Sequence, residues 1–260
     1  MSKVLVTGGT GTFGYQIVTL LEKARQTPRV MSRGPRPADA TREWAQVDLT
    51  SGQGLAEAVD GIDVIIHAAS NSRAQTVETD VEGTRRLLEA ARTAGVKHFV
   101  YISIVGIDRI PFDYYRHKLD AEKLIEANGV PWSILRTSQF HDLIDIFIST
   151  LDHPPLMIVP GALKSQSVDS GEVAARLVEI ALGKPAGCLP DMGGPEVLTW
   201  GQMTRAWIRA QQMRRILIPV PPLTPLMRAF SLGLNIVKEG QFGKVTWEEW
   251  LTAKYGGKSR

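Results

Sequence analysis

The stretch VLVTGGTGTFG at residues 4–14 constrains this chain more than any other. Val4, Leu5 and Val6 form a short apolar run of the kind a strand buried on both faces needs. Gly8, Gly11 and Gly14 follow at three-residue spacing, and Tyr15 to Lys23 then carries Ile17, Val18, Leu20 and Leu21 at helical periodicity. Strand, glycine turn and helix in this order is the context of a dinucleotide-binding fingerprint; the competing reading is a plain tight turn. Gly8 permits the turn, Gly11 lets a pyrophosphate approach the backbone, and Gly14 lets helix and strand pack closely. The N–H groups and positive dipole end of the helix then face the phosphates. The contacts expected of the loop are Gly8, Thr10, Gly11, Thr12, Phe13 and Gly14.

Residues 1–140 alternate strand and helix patterns over short connections. The apolar runs predict strands at 3–7, 28–32, 44–47, 62–67, 97–103 and 132–136, and helices at 13–24, 52–58, 77–94 and 114–127. Gly95 stops the third helix, and Asn128-Gly129 with Pro131 stops the fourth. Such alternation implies an α/β fold, a Rossmann-type doubly wound parallel sheet with right-handed crossovers. After residue 140 the texture changes: Pro154-Pro155, Pro160-Gly161 and the Pro219–Pro225 stretch punctuate short elements, with helices expected at 171–182, 199–212 and 223–233. The expected organisation is a nucleotide-binding domain over 1–140 and a smaller C-terminal substrate lobe over 141–260, closing over the carboxyl edge of the sheet. Trp207, Phe230, Trp247 and Trp250 fit the core of that lobe, and the polar tail 252–260 is expected to fray.

Composition narrows the function classes. A net charge of +3 without a Lys/Arg block argues against a nucleic-acid partner. Cys188 is the lone cysteine, which excludes an internal disulfide and fits a reducing, cytoplasmic setting. The five histidines lack metal-ligand spacing, so no metal is expected. No apolar run reaches the roughly 20 residues of a membrane span, and no membrane partner is expected. The oligomeric state stays open.

The chain resembles the short-chain dehydrogenase/reductase superfamily, and more closely its atypical, NmrA-like branch. The resemblance runs through TGGTGTFG at 7–14, VMSR at 30–33, VDLT at 47–50, HAAS at 67–70, DVEGTRRLLEAA at 80–91, FVYIS at 99–103, YYRHK at 114–118 and ILRTSQF at 134–140. It implies an oxidoreductase that moves hydride between a nicotinamide cofactor and a small apolar carbonyl or quinone. The alternatives are a non-catalytic redox sensor and a sugar-nucleotide epimerase-like enzyme.

The second strand ends in Ser32-Arg33, without the carboxylate that would receive a ribose 2′-hydroxyl in an NAD-preferring site. Arg33, with Arg36 near it, suits a 2′-phosphate and favours NADP over NAD; both could equally be solvated loop charges. By resemblance, Asp48 and Leu49 sit beside the adenine, although Asp48 could instead cap a helix starting near Ser51. Ala68, Ala69 and Ser70 are small enough for the adenosine half and the nicotinamide ribose to approach, and close packing alone would select the same residues.

Tyr114 and Lys118 stand four apart, so both face one way on a helix. The resemblance makes Tyr114 the proton-transfer group, with Lys118 lowering its pKa and contacting the nicotinamide ribose, and Ser103 the polar partner near the substrate carbonyl. Three features complicate this. Tyr115 is adjacent, Ile104 and Val105 stand where the family's hydroxyl residue usually comes, and NmrA-like proteins often keep only the lysine. Asp80 replaces a common asparagine, and its role is open between hydrogen-bond acceptor and helix cap. The segment Arg136–Phe140 is expected to cover the nicotinamide, with Gln139 and Phe140 shaping the substrate floor. His141 is a nearby titratable group without an assigned role.

Overall fold

A computed structural model of the chain describes residues 2–38, 40–70 and 76–257. It divides into two compact units, each assembled from separate segments: Met1–Ser103, Asp113–Leu135 and Ala174–Leu189 in the first, Ile104–Phe112, Arg136–Val173 and Pro190–Arg260 in the second. The sequence reading placed a single cut at residue 140. The chain instead crosses between units at Ser103/Ile104, Phe112/Asp113, Leu135/Arg136, Val173/Ala174 and Leu189/Pro190.

The first unit is a Rossmann-type layer. Its elements are β1 (Lys3–Thr7), α1 (Thr12–Lys23), β2 (Thr27–Ser32), β3 (Glu43–Gln46), α2 (Leu55–Val59), β4 (Val64–His67), a π-helical segment Val77–Glu82 running into α3 (Gly83–Thr93), β5 (His98–Ile104), α4 (Asp113–Asn128) and β6 (Trp132–Thr137). The strand order is β6-β5-β4-β1-β2-β3. β1 pairs in parallel with both β2 and β4, so the chain's direction of travel across the sheet reverses between β1 and β4. Ligands of doubly wound sheets bind at that switch point, beyond the carboxyl ends of the strands. Val4, Leu5 and Val6 are fully buried, as strands covered by helices on both faces demand. Leu5 and Ile65 from the sheet pack with Leu87, Leu88 and Ala91 of α3 and with Ala121 and Ile125 of α4.

Two local departures follow from particular residues. The helix expected at 52–58 shortens to α2, because Gly52 and Gly54 take φ of +81° and +82°, outside helical space. The helix expected at 77–94 starts as a π-helical segment, which places Asp80 in a widened turn.

In the second unit, α5 (His141–Thr150), α7 (Trp200–Ala210) and α9 (Trp247–Tyr255) supply Ile144, Ile148, Met203, Trp207, Trp247 and Leu251 to one core; α6 (Ser170–Leu182) and α8 (Pro225–Ser231) complete the helices named here. Strand Leu156–Val159 pairs in parallel with Ile216–Pro219 and antiparallel with Asp152–His153. The expected fraying of 252–260 is corrected: residues 252–255 finish α9, whose N-terminus is a capping box between Thr246 and Glu249. Lys254 and Tyr255 both donate to the buried Asp145 carboxylate, which also receives the Trp207 indole N–H. Residues 258–260 lie outside the described residues.

Candidate functional site

The loop after β1 is shaped by what cannot be added to it. Gly8 has φ +66°, and a Cβ there would sit 3.0 Å from the Ala69 Cα. A Cβ on Gly14 would lie 2.2 Å from the Gly8 carbonyl oxygen, inside any tolerable contact. The loop closes through the Gly11 N–H donating to the Gly8 carbonyl at 3.0 Å. Helix α1 then begins at Thr12 with Gly11 as its N-cap and no side chain capping it. First-turn N–H groups have no partner within their own helix. They border a cleft of about 610 Å³ lined by all the loop residues expected to bind, Gly8, Thr10, Gly11, Thr12, Phe13 and Gly14, and by Ser32, Arg33, Asp48, Leu49, Ala68, Ala69 and Ser70.

Below the cleft runs a buried hydrogen-bond chain that fixes the floor. Thr7 Oγ1 accepts from the backbone N–H groups of Ala68 and Ala69 at 3.0 and 2.9 Å. Its own proton goes to His67 Nδ1 at 2.8 Å. Thr84 donates to the Asp80 carbonyl at 2.7 Å, so it must accept from His67 Nε2 at 2.9 Å. One tautomer of His67 satisfies every group. Burial, with Lys118 adding to it, pushes the His67 pKa down to about 3 and keeps the ring neutral.

At the end of the cleft Ser70 joins binding surface to titratable groups. Its hydroxyl donates to Asp80 Oδ1 at 2.6 Å and lies 2.8 Å from the Tyr114 hydroxyl. A hydroxyl has one proton, so Tyr114 is the donor in the second bond. Tyr115 is buried instead, which separates the two adjacent tyrosines. The expected lowering of the Tyr114 pKa by Lys118 is corrected. Burial, reinforced by the Asp80 carboxylate, pushes the phenol up to about 12. Lys118 donates to the Ile102 carbonyl at 3.0 Å and stands 4.1 Å above the Tyr101 ring. Burial pushes its pKa down to about 8 against the opposing pull of Asp80 and Glu122.

The far rim carries the residues weighed for cofactor choice. Ser32 Oγ accepts from the Gly34 N–H at 3.2 Å and lies 3.3 Å from Thr10 Oγ1. Arg33 lines the cleft and is exposed, whereas Arg36 donates to the Ala40 carbonyl at 2.7 Å. Asp48 Oδ1 accepts from both the N–H and the hydroxyl of Thr50, at 2.9 and 2.7 Å. These bonds, with Arg33 adding to them, hold its carboxyl below the usual range. Asp48 therefore closes a local turn while still facing the cleft; the N-cap of the helix that follows is Gly54.

Ser103 is 1 % exposed, and its hydroxyl has no partner among the described residues. Gln139 and Phe140 belong to the second unit, where Gln139 is buried and accepts from Asn235 at 3.1 Å. His141 is a structural group there. Its Nε2 donates to the Val245 carbonyl, so Nδ1 accepts from Ser167, and its ring packs tilted against the stacked pair Trp247 and Trp250. Sequence reasoning missed the network of Thr7, His67 and Thr84 and the attachment of Asp80 to Ser70. The visible signal was a polar residue at the end of each of two apolar strands, Thr7 and His67.

A family pattern described as NAD(P)H-binding matches residues 8–182. An NAD(P)H azoreductase from Xenophilus azovorans is 26% identical over 211 residues, covering 78% of this chain and 72% of the relative. The photosystem II assembly factor Ycf39 of Trieres chinensis is 28% identical over 183 residues, covering 66% and 57%. The solved NADPH-dependent quinone oxidoreductase QOR2 from Escherichia coli, complexed with NADPH, superposes with a TM-score of 0.81 at 18% identity, over 97% of this chain and 99% of that one. At that identity the likeness concerns the fold. The chain spans between 31% and 57% of the length of the first curated relatives it matches.

Proposed function

The chain belongs to an NAD(P)H-binding family, and on that footing we propose that it is of the atypical short-chain dehydrogenase/reductase, NmrA-like class and is an NADP-dependent oxidoreductase acting on a small apolar carbonyl or quinone. The nicotinamide, when bound, supplies or accepts the hydride. The observation that carries the reading is Ser70, which lines the glycine-loop cleft and also holds the hydroxyl of Tyr114. A cleft whose Gly14 tolerates no Cβ, and whose helix start is uncapped by any side chain, fits a diphosphate held by backbone amides.

The residues divide the work by their chemistry. Arg33 contacts the 2′-phosphate, and Asp48 and Leu49 border the adenine. Lys118 is the cofactor contact on α4. Tyr114 holds the proton that the reduced substrate oxygen takes up, and Ser103 offers a second hydroxyl to the same oxygen. A phenol held near 12 is a weak acid, and Asp80 beside it disfavours the phenolate. An acceptor that needs little proton assistance suits this site, which favours a quinone over a simple ketone. Gln139 and Phe140 are proposed to contact the substrate.

The test is turnover of NADPH by the purified protein against a panel of quinones and ketones. Quinone-dependent oxidation that falls in Tyr114→Phe and Lys118→Ala supports the reading. Tight NADPH binding with no turnover on any acceptor favours the second reading, a nucleotide-binding sensor. The match to an assembly factor and the high Tyr114 pKa both point that way.

A further inference from the structure

We propose that the second unit seats on the surface of an anionic lipid bilayer through the outer face of its small sheet. Strands Leu156–Val159 and Ile216–Pro219 run in register, with Ile216 beside Leu156 and Ile218 beside Ile158. Alternation turns Met157 and Val159 into the core and leaves Leu156, Ile158, Ile216 and Ile218 exposed at 40%, 55%, 62% and 39%. Isolated exposed aliphatic residues are ordinary; four paired across one face form a patch that asks for a partner. Beyond Pro219 the chain turns through Pro221 and Pro222 to Leu223, which is 70% exposed.

Charge identifies the partner. Between Glu196 and Glu239 the sequence has no acidic residue and six basic ones, of which Arg209 and Arg215 are paired with Glu248 and Asp152. The run Ile216–Met227 is uncharged and is bracketed by the exposed Arg214 and Arg228. Neighbouring acids are already neutralised, Asp152 by Arg215 and Glu248 by Arg209. An exposed aliphatic face flanked in the sequence by the exposed Arg214 and Arg228 matches a surface that offers acyl chains just beneath anionic headgroups. No helix among the described residues is long and apolar enough to cross a membrane, so the seating is peripheral.

The test uses the whole chain, without cofactor, in co-sedimentation with phosphatidylcholine vesicles and with vesicles carrying 30% phosphatidylglycerol. Partitioning at least tenfold stronger onto the anionic vesicles is expected, weakening as salt rises from 0.1 to 0.5 M. Arg214→Ser with Arg228→Ser should lower the partition coefficient roughly 10- to 30-fold. Ile216→Glu with Ile218→Glu should abolish binding, with the melting temperature unchanged because both side chains are solvent-facing. Equal binding to both vesicle types, binding that survives both pairs of changes, or no vesicle binding together with a dimer that the glutamates dissolve would overturn the proposal.

Discussion

Tyr114 donates its phenolic hydrogen to Ser70 across 2.8 Å, and this follows because Ser70 has already given its only proton to Asp80. Burial, reinforced by the Asp80 carboxylate, holds the phenol protonated at the end of the glycine-loop cleft. Tyr114→Phe should cut turnover roughly 100-fold on ketone acceptors and less than tenfold on quinones. Ser70→Ala should act in the same direction on kcat, with NADPH affinity changed less than threefold. Steady-state kinetics on both acceptor classes reads the difference.

The two glycines of the loop predict different outcomes. Gly14→Ala sets a Cβ against backbone, 2.2 Å from the Gly8 oxygen, and should cost about 1–3 kcal/mol of stability along with NADPH binding. At Gly11 the added Cβ meets the Gly8 oxygen at 3.4 Å, so Gly11→Ala should melt normally yet bind NADPH more weakly, because the cleft wall thickens. Thermal melts and NADPH titration together distinguish packing from ligand contact.

Arg33 separates the two nicotinamide cofactors. A guanidinium bonded to a phosphate contributes about 1.5–3 kcal/mol, so Arg33→Ala should weaken NADPH by tenfold or more and leave NADH within about twofold. Equal losses for both would assign Arg33 to the loop and not to the 2′-phosphate.

Lys118 imposes a pH dependence. Its pKa of about 8 means the ammonium is present below that pH and lost above it. NADPH affinity should be level from pH 6 to 7.5 and fall by up to tenfold per unit above about 8. Lys118→Met should bind weakly at every pH, with a flat profile.

His67 acts on stability at acid pH. Its folded pKa of about 3 lies below the ordinary 6.5, so between these values the unfolded chain binds more protons than the folded one. Stability therefore falls as pH drops from 6.5 toward 3. His67→Gln should start less stable at pH 7, with a shallower loss of melting temperature on acidification.

Much of the first unit was legible because burial on both faces writes itself as apolar runs, and because Gly8, Gly11 and Gly14 have steric reasons visible in spacing alone. The strands at Lys3–Thr7 and Thr27–Ser32 lie within a residue of expectation. Helix α5 was missed because DLIDIFIST mixes β-branched and apolar residues without helix-specific punctuation. Helix α9 was missed although Thr246 and Glu249 stand at capping-box spacing. The candidate site was readable only residue by residue. Tyr114 and Lys118 share a helix face, but the direction of the Tyr114 pKa follows from its burial, reinforced by Asp80, which approaches through Ser70 from a π-helical turn. Sequence spacing carries no sign of that approach.

The most direct measurement is a calorimetric titration of NADPH into the purified chain, repeated with Gly14→Ala. Saturable one-to-one binding to the native chain, lost in the variant, is the expected result. A native chain that shows no saturable binding, or a variant that binds as well as the native one, would contradict the assignment of the glycine loop as the cofactor cradle.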